Sequence, residues 1–304
     1  MKILFLGTPD FAIPSLRALQ ASSHTVLAVV TQPDRVGKRN VLTPPAVKVE
    51  AEKLGLPVYQ FESIRKQGVD LVRSLAPDVM VTAAFGQILS QELLDIPKHG
   101  VFNVHGSLLP KYRGASPIQA CLLAGDRETG VTIMRTAYEV DSGDIILKKT
   151  LPIEPTDNAG TLFEKISYLG AQGIVEALDL LEQGKITYTP QDHAQATFCK
   201  MISKSDAEIF AATPANVALN MVRAYSPWPV AFVTVGEERL RIFVAETTER
   251  QGEAGSFFSQ GGTLCLNLTD GALRLLSVQA EGKKQMSGKD YLIGHASILT
   301  KRVG

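Results

Sequence analysis

The chain has 304 residues, of which 45% are hydrophobic and 20% charged, a composition typical of a globular protein large enough for two cores. Its 31 basic and 31 acidic residues cancel, so net charge gives no reason to expect binding to nucleic acid or anionic membrane. Three scattered cysteines argue against a disulfide framework and a zinc site. Because no apolar run reaches the ~20 residues of a membrane helix and no signal peptide is evident, we expect a cytoplasmic protein.

Apolar strand-like runs alternate with amphipathic helices through the first half of the chain. The predicted strands cover residues 3–6, 25–31, 58–59 and 78–83, and the predicted helices cover 14–21, 45–54 and 90–94. Continuous Val, Ile and Leu runs between helices are typical of a parallel sheet with both faces covered. We therefore predict an α/β fold with a Rossmann-like open sheet rich in parallel strands. The turn at residues 7–9 lacks the GxGxxG pattern and does not predict a dinucleotide site.

The second half begins with a long amphipathic helix over residues 161–183, followed by an irregular polar stretch. A further helix is predicted over residues 213–224, with a proline in its first turn. Short alternating segments separated by glycine turns follow, which is typical of a small antiparallel barrel. These segments cover residues 231–235, 239–245, 263–268 and 272–279. We predict three parts: residues 1–188, a linker over 189–205, and an OB-like C-terminal β-barrel over 206–304.

The stretch Asn103-Val104-His105 contains the first candidate catalytic side chains. A short buried strand is predicted here, on which positions 103 and 105 point to one face. An amide can donate a hydrogen bond to a developing oxyanion, and a histidine can exchange a proton near neutral pH. Asp141 opens a glycine turn after the apolar run 130–134, and a carboxylate there could orient His105 and stabilise its charged form. The triplet alone leaves open the alternative of a hydrogen-bonded structural histidine.

A resemblance to a known family rests on two stretches, NVHGSLLPKYRG at residues 103–114 and DSGD at residues 141–144. Together they resemble the formyltransferases that use 10-formyltetrahydrofolate as co-substrate. The resemblance implies that Asn103, His105 and Asp141 are the catalytic set, within a catalytic domain over residues 1–188, with no metal and no covalent nucleophile. It also implies two folate-binding segments. The first consists of Ser107, Leu108, Leu109 and Pro110, and the second contains Phe85, Gly86 and Ile88.

A basic loop between the second strand and the second helix bears on the acceptor of the formyl group. Loop 33–40 contains Arg35, Lys38 and Arg39, and basic loops beside a site commonly engage phosphate backbones. It is similar to the loop with which tRNA-directed members of the family enter the acceptor stem, which implies that these residues bind tRNA. The stretches 224–229 and 284–291 resemble the tail of the same members, which implies a tRNA-binding C-terminal domain. That domain has ten basic and ten acidic residues, so its charge does not itself predict RNA binding.

The resemblance implies transfer of a formyl group to the α-amine of methionyl initiator tRNA by a cytoplasmic monomer that contacts no membrane. Two alternatives keep the site and change the acceptor, namely a 10-formyltetrahydrofolate hydrolase and a sugar-nucleotide N-formyltransferase. A third is a non-catalytic RNA-binding protein, which the intact Asn103, His105 and Asp141 disfavour. Two interpretations stay open for the stretch 111–113, Lys-Tyr-Arg: contact with a substrate phosphate, and a solvated charged turn.

Overall fold

The structure is a computed structural model that describes residues 1–37 and 40–303. Over these residues the strands are β1 (Lys2–Gly7), β2 (Thr25–Thr31), β3 (Arg35–Val36), β4 (Leu42–Thr43), β5 (Val58–Gln60), β6 (Val79–Ala83), β7 (Val101–His105), β8 (Arg113–Gly114), β9 (Glu128–Arg135), β10 (Ile145–Pro152), β11 (Phe198–Cys199), β12 (Ala231–Val235), β13 (Glu238–Thr248), β14 (Phe257–Gln260), β15 (Thr263–Asn267), β16 (Ala272–Ala280) and β17 (Met286–Ser287). The α-helices are α1 (Ile13–Gln20), α2 (Ala46–Lys53), α3 (Ile64–Gln67), α4 (Val69–Leu75), α5 (Gln91–Asp95), α6 (Pro117–Ala124), α7 (Ala159–Glu182), α8 (Ala215–Ala224) and α9 (Gly288–Gly294). Within the described ranges, every helix is too short or too polar to cross a bilayer.

The chain divides into two compact units, each built from several segments. Unit 1 contains Met1–Pro117, Glu128–Pro152 and Phe163–Cys199, and unit 2 contains Ile118–Arg127, Ile153–Leu162 and Lys200–Gly304. Residues 189–199, which the sequence analysis assigned to a linker, thus belong to unit 1. The linear division into 1–188, 189–205 and 206–304 stays a prediction.

Unit 1 contains a seven-stranded sheet in the order β10-β9-β7-β6-β1-β2-β5. The strands from β7 to β5 are parallel, while β9 is antiparallel to β7 and β10 is antiparallel to β9. The predicted parallel-rich open sheet is confirmed. The chain moves outward from β1 through β2 to β5 and then returns to β6 on the other side of β1. The junction of β1 and β6 is therefore a topological switch point, where ligands bind beyond the carboxyl ends of the strands.

The amino-acid sequence accounts for the central strands and for the loop beside them. Ile3 in β1, Val29 in β2 and Val81 in β6 have no exposed surface, as expected of strands covered on both faces. The loop after β6 ends where α5 begins, because the Ser90 side chain accepts a hydrogen bond from the Leu93 amide at the first turn. This cap gives the loop at the switch point a defined end.

Unit 2 contains an antiparallel sheet in the order β12-β13-β16-β15-β14, with β17 paired to β16. Isolated bridges join Val303 to Val235, at the end of β12, and Arg302 to Ser256, just before β14. The last described residues therefore connect the two edges of the sheet, as in the predicted barrel. At the start of the last segment of this unit, hydrogen bonds from Lys200 and from the backbone and side chain of Ser203 lower the pKa of Asp206 to about 2.

Candidate active site

The carboxyl ends of β1, β6 and β7 lie side by side, because neighbouring strands pair in parallel up to their last residues. The Thr8 hydroxyl donates a hydrogen bond to the Phe85 carbonyl oxygen at 2.8 Å, and Gln32 Nε2 donates to the same oxygen at 3.1 Å. The loops after β1, β2 and β6 are therefore joined at the switch point. The neighbouring strand, β7, carries Asn103 and His105.

Asn103 lies on β7, and its amide oxygen is held by the adjacent strand. Because β7 includes residues 103 and 105, these two side chains share one face, as predicted. Thr82 pairs with Asn103 in the register of β6 and β7, and its hydroxyl donates to Asn103 Oδ1 at 2.8 Å. No residue in the described part of the chain accepts a hydrogen bond from Asn103 Nδ2. This nitrogen can therefore donate to an oxyanion. Thr82 could not be predicted as part of the site, because threonine is an ordinary strand residue.

His105 ends β7 and is only 5% exposed. Its Nε2 lies 3.0 Å from the Tyr112 carbonyl oxygen, and its Nδ1 lies 3.6 Å from Asp141 Oδ2. Because a carbonyl oxygen can only accept, Nε2 carries a hydrogen here. The Nδ1 distance is too long for a hydrogen bond, but a proton on Nδ1 would face the carboxylate. A charged His105 thus has an acceptor beside each ring nitrogen, and the predicted His–Asp pair is brought together.

Asp141 is held in place through the backbone around it. Its Oδ2 accepts a hydrogen bond from the Gly114 amide at 2.8 Å. Its φ of 50° is in the left-handed region, which is uncommon for residues other than glycine. Two residues later, any side chain at Gly143 would collide with the Arg135 carbonyl oxygen. The Asp-x-Gly spacing is therefore a steric requirement of the turn that presents the carboxylate.

The backbone of residues 112–114 contacts both His105 and Asp141. The Tyr112 carbonyl contacts His105, and the Gly114 amide binds Asp141. The segment is held in turn by residues 197–199: the amides of Tyr112 and Arg113 donate to Thr197 Oγ1 and Thr197 O, both at 2.8 Å, and β8 pairs with β11. The backbone of residues 112–114 is thus a shared support for both side chains.

Gln191, which no sequence motif marks, is 5% exposed and contacts the turn that carries Asp141. Its Nε2 donates to the Asp141 carbonyl at 2.8 Å and to the Gly143 carbonyl at 2.7 Å. Its Oε1 accepts from Arg113 Nε at 3.1 Å and from Arg113 Nη2 at 2.7 Å. Because Arg113 is only 4% exposed, the interpretation of this residue as part of a solvated turn is wrong. Its guanidinium faces Gln191 and His193 instead.

The predicted folate residues follow β6 and β7 at the switch point. Phe85 and Leu109 pack into apolar clusters, and the buried Ser107 donates from Oγ to the Lys111 carbonyl at 2.7 Å. The other predicted positions have exposed surface that could contact a ring; these are Gly86, Ile88, Leu108 and Pro110. Buried members therefore shape the two loops, and contact of the remaining ones with folate stays a prediction.

Of the predicted tRNA-binding residues, Arg35 lies within the described part of the chain. It is exposed on β3, and its Nη2 donates to Gln32 Oε1 at 2.7 Å. β3 pairs with β4 in a two-stranded hairpin that presents exposed Val36 and Leu42. Lys38 and Arg39 lie outside the described residues.

The cysteine thiols offer no obvious nucleophile within the described residues. Cys121 and Cys265 are buried, and burial raises the pKa of the Cys199 and Cys265 thiols. A raised pKa keeps a thiol protonated and unreactive at neutral pH.

Comparison with known families connects this geometry to a reaction class. Residues 1–178 match the family described as formyl transferase, and residues 201–296 match the formyl transferase C-terminal domain. The chain belongs to the formyl transferase family. A methionyl-tRNA formyltransferase of Listeria monocytogenes serovar 1/2a is 45% identical over 305 residues, covering 99% of this chain and 97% of the relative. One of Halalkalibacterium halodurans is 43% identical over 306 residues, covering 99% and 96%.

Solved structures share the fold of this formyl transferase at low sequence identity. WlaRD, a sugar 3N-formyl transferase solved in the presence of dTDP and 5-N-formyl-THF, is 18% identical with a TM-score of 0.69, covering 93% of this chain and 99% of that one. HypX from Aquifex aeolicus, in complex with tetrahydrofolic acid, is 17% identical with a TM-score of 0.63, covering 96% and 47%. At such identities the likeness establishes the fold alone.

Proposed function

We propose that this formyl transferase moves the formyl group of 10-formyltetrahydrofolate to the α-amino group of methionyl initiator tRNA. One structural observation carries the proposal: His105 and Asp141, from separate parts of the chain, meet at the backbone of residues 112–114, and Asn103 shares the face of β7 with His105. The relatives named methionyl-tRNA formyltransferase match over nearly their whole length, which favours this acceptor over water or a sugar nucleotide. A cytoplasmic location and a monomeric state are part of the proposal.

The bound co-substrate supplies an activated formyl carbon, so the protein needs no covalent nucleophile. Asn103 Nδ2 donates a hydrogen bond to the formyl oxygen as that oxygen gains negative charge. Because Nε2 already carries a hydrogen toward the Tyr112 carbonyl, His105 takes on Nδ1 the proton that the amine loses as its new C–N bond forms, and returns it to the departing nitrogen. Asp141 and the Tyr112 carbonyl accept hydrogen bonds from the charged ring and hold it in place.

The residues around the switch point suit a folate and an RNA end. Ile88, 67% exposed, and the partly exposed Leu108 offer apolar surface on the loops after β6 and β7. Arg35 lies on the hairpin that follows β2, at the same edge of the sheet, and brings a cation toward an acceptor stem. Lys38 and Arg39 belong to the same proposed RNA contact.

The test is a formylation assay with purified protein and 10-formyltetrahydrofolate. Three reactions receive methionyl initiator tRNA, uncharged tRNA or no RNA, and both the loss of co-substrate and the formation of formyl-methionyl-tRNA are followed. We expect product only with the charged tRNA, and co-substrate turnover that depends on it. Equal co-substrate loss in all three reactions would overturn the proposal in favour of hydrolysis.

A further inference from the structure

The segment from residue 189 to residue 199 packs closely against the site, although its sequence is polar and irregular. Thr189 and Ile145 exchange two backbone hydrogen bonds, at 2.8 and 2.9 Å, at the start of β10. Further along, β11 pairs with β8, and the Ala115 amide donates to the Cys199 carbonyl at 3.2 Å. The segment therefore contacts both sides of the site: the turn that carries Asp141 and the support at residues 112–114.

The Gln191 side chain contacts the turn that carries Asp141. It makes four hydrogen bonds, two donated by Nε2 to the Asp141 and Gly143 carbonyls and two accepted by Oε1 from Arg113. All its donors and acceptors are used, and it is 5% exposed. A buried amide with complete hydrogen bonding fixes its partners, because any displacement would leave buried polar groups without partners.

The position of the Asp141 carboxylate depends on the groups that Gln191 binds, namely the backbone of the Asp141 turn and Arg113. Asp141 has a left-handed φ of 50°, a conformation that neighbouring contacts must maintain. Its carboxylate reaches the Gly114 amide and faces His105 Nδ1 only when that backbone is retained. Arg113, which immediately precedes Gly114, is tied to the same glutamine. Gln191 therefore connects the backbone that carries the carboxylate with the segment that carries its hydrogen-bond donor.

We propose that Gln191 is a positioning residue that sets the orientation of Asp141 toward His105. The inference rests on the proposed function for its activity readout. It assigns a role in the reaction to a stretch that lies between the two family matches, which end at residue 178 and resume at residue 201.

Gln191→Glu is the sharpest perturbation, because it is isosteric and keeps an acceptor for Arg113 while replacing the donor that faces the two carbonyls. A second variant, Gln191→Met, removes all four hydrogen bonds. Gln195→Met is the matched control on the same segment, since Gln195 is exposed and its Nε2 donates only to Asp192. We expect Gln191→Glu to lower kcat about 10- to 100-fold with KM values within about threefold, as for a misplacement of about 1 Å. The control should match the unmodified protein.

A double-mutant cycle with Asp141→Asn distinguishes positioning from general damage to the fold. If Gln191 acts through Asp141, Gln191→Glu should lower kcat by less than about threefold when the carboxylate is already absent. The same large loss in both backgrounds would overturn the inference, as would unchanged kcat in the single variant. An unmodified protein that forms no formyl-methionyl-tRNA would refute the proposed function instead, so the two failures are distinguishable.

The Cys199 thiol provides a readout that does not depend on activity. Cys199 is half-buried on β11, and its Sγ donates to the Arg113 carbonyl at 3.4 Å. If Gln191→Glu changes only the Asp141 turn, alkylation of Cys199 should proceed at the rate of the unmodified protein. Alkylation faster by tenfold or more would mean that residues 197–199 have detached, and the loss of kcat would then count against specific positioning.

Discussion

Replacing Thr82 by valine tests whether Asn103 needs its neighbour on β6 to present the amide nitrogen to the oxyanion. The Thr82 hydroxyl donates to Asn103 Oδ1 at 2.8 Å, and valine has nearly the same shape without the donor. Once this bond is lost, the amide can rotate and present its oxygen toward negative charge. A net hydrogen bond is worth about 0.5–1.5 kcal/mol, which corresponds to a two- to twelvefold change in the population of the productive orientation.

We therefore expect Thr82→Val to lower kcat by about two- to twelvefold with little change in KM. Removing the Asn103 amide itself, by Asn103→Ala, should cost far more, about 10²- to 10³-fold, as for other oxyanion donors. Thr82→Ser retains the hydroxyl and is the matched control.

The measurement is single-turnover formylation at saturating co-substrate, with thermal unfolding followed in parallel. Thr82→Val should unfold within a few degrees of the unmodified protein, since the variant loses a single hydroxyl hydrogen, which Asn103 Oδ1 and, at 3.3 Å, the Phe102 carbonyl oxygen accept. An unchanged kcat in Thr82→Val, or an equal loss in Thr82→Ser, would refute the reasoning.

Other predictions concern proton transfer, RNA contact, acid stability and the backbone of the site. His105→Ala should lower kcat by at least about 10²-fold with near-normal thermal unfolding, because general acid–base catalysis and ring orientation are lost together; a smaller loss would contradict the proton-transfer role. Arg39→Ala should raise the KM for methionyl-tRNA and leave that for the co-substrate unchanged, since a loop arginine contacts phosphates; equal effects on both would argue against an RNA contact. The Asp206 pKa is lowered to about 2 in the folded chain, so its carboxylate stabilises the fold above the ordinary value of 3.8 and that contribution is lost as pH falls through about 2. Asp206→Asn should therefore unfold more readily in denaturant at pH 7, and its difference from the unmodified protein should shrink below about pH 4; a pH-independent difference would exclude this assignment. Gly114→Ala should lower kcat and stability, because φ is 117° and a side chain would collide with the Cys199 carbonyl, whereas Gly184→Ala, with positive φ in open space, should affect stability only. Equal kinetic effects at both glycines would contradict the steric argument.

The regular elements of this chain were predictable because their signals are local. The strand over residues 25–31 has the bounds predicted, since a run of apolar and β-branched residues ends at polar Gln32. The helix predicted over 161–183 begins two residues earlier, at Ala159, and ends one residue earlier, at Glu182. The antiparallel arrangement of β9 and β10 could not be read from an apolar run, because strand direction depends on pairing with distant residues.

The site was predictable only as far as its motifs extend. Asn103, His105 and Asp141 could be proposed because residue type, spacing and family resemblance agree. Gln191 could not, because its partners lie 48 to 78 residues away in the chain and a glutamine in a polar stretch predicts solvent exposure. For the same reason, the sequence left open a substrate contact and a solvated turn for Arg113, although folding buries this residue against that glutamine.

Backbone groups determine what the three predicted side chains can do. His105 contacts the Tyr112 carbonyl, and Asp141 accepts a hydrogen bond from the Gly114 amide. Every residue type has a backbone carbonyl, so the sequence does not mark the first contact, and only the glycine marks the second. Because both belong to residues 112–114, displacement of this short segment would change proton transfer and carboxylate orientation together. Substitutions that loosen its pairing with residues 197–199 should therefore reproduce part of the loss caused by changing His105 or Asp141, although they leave every reacting side chain intact.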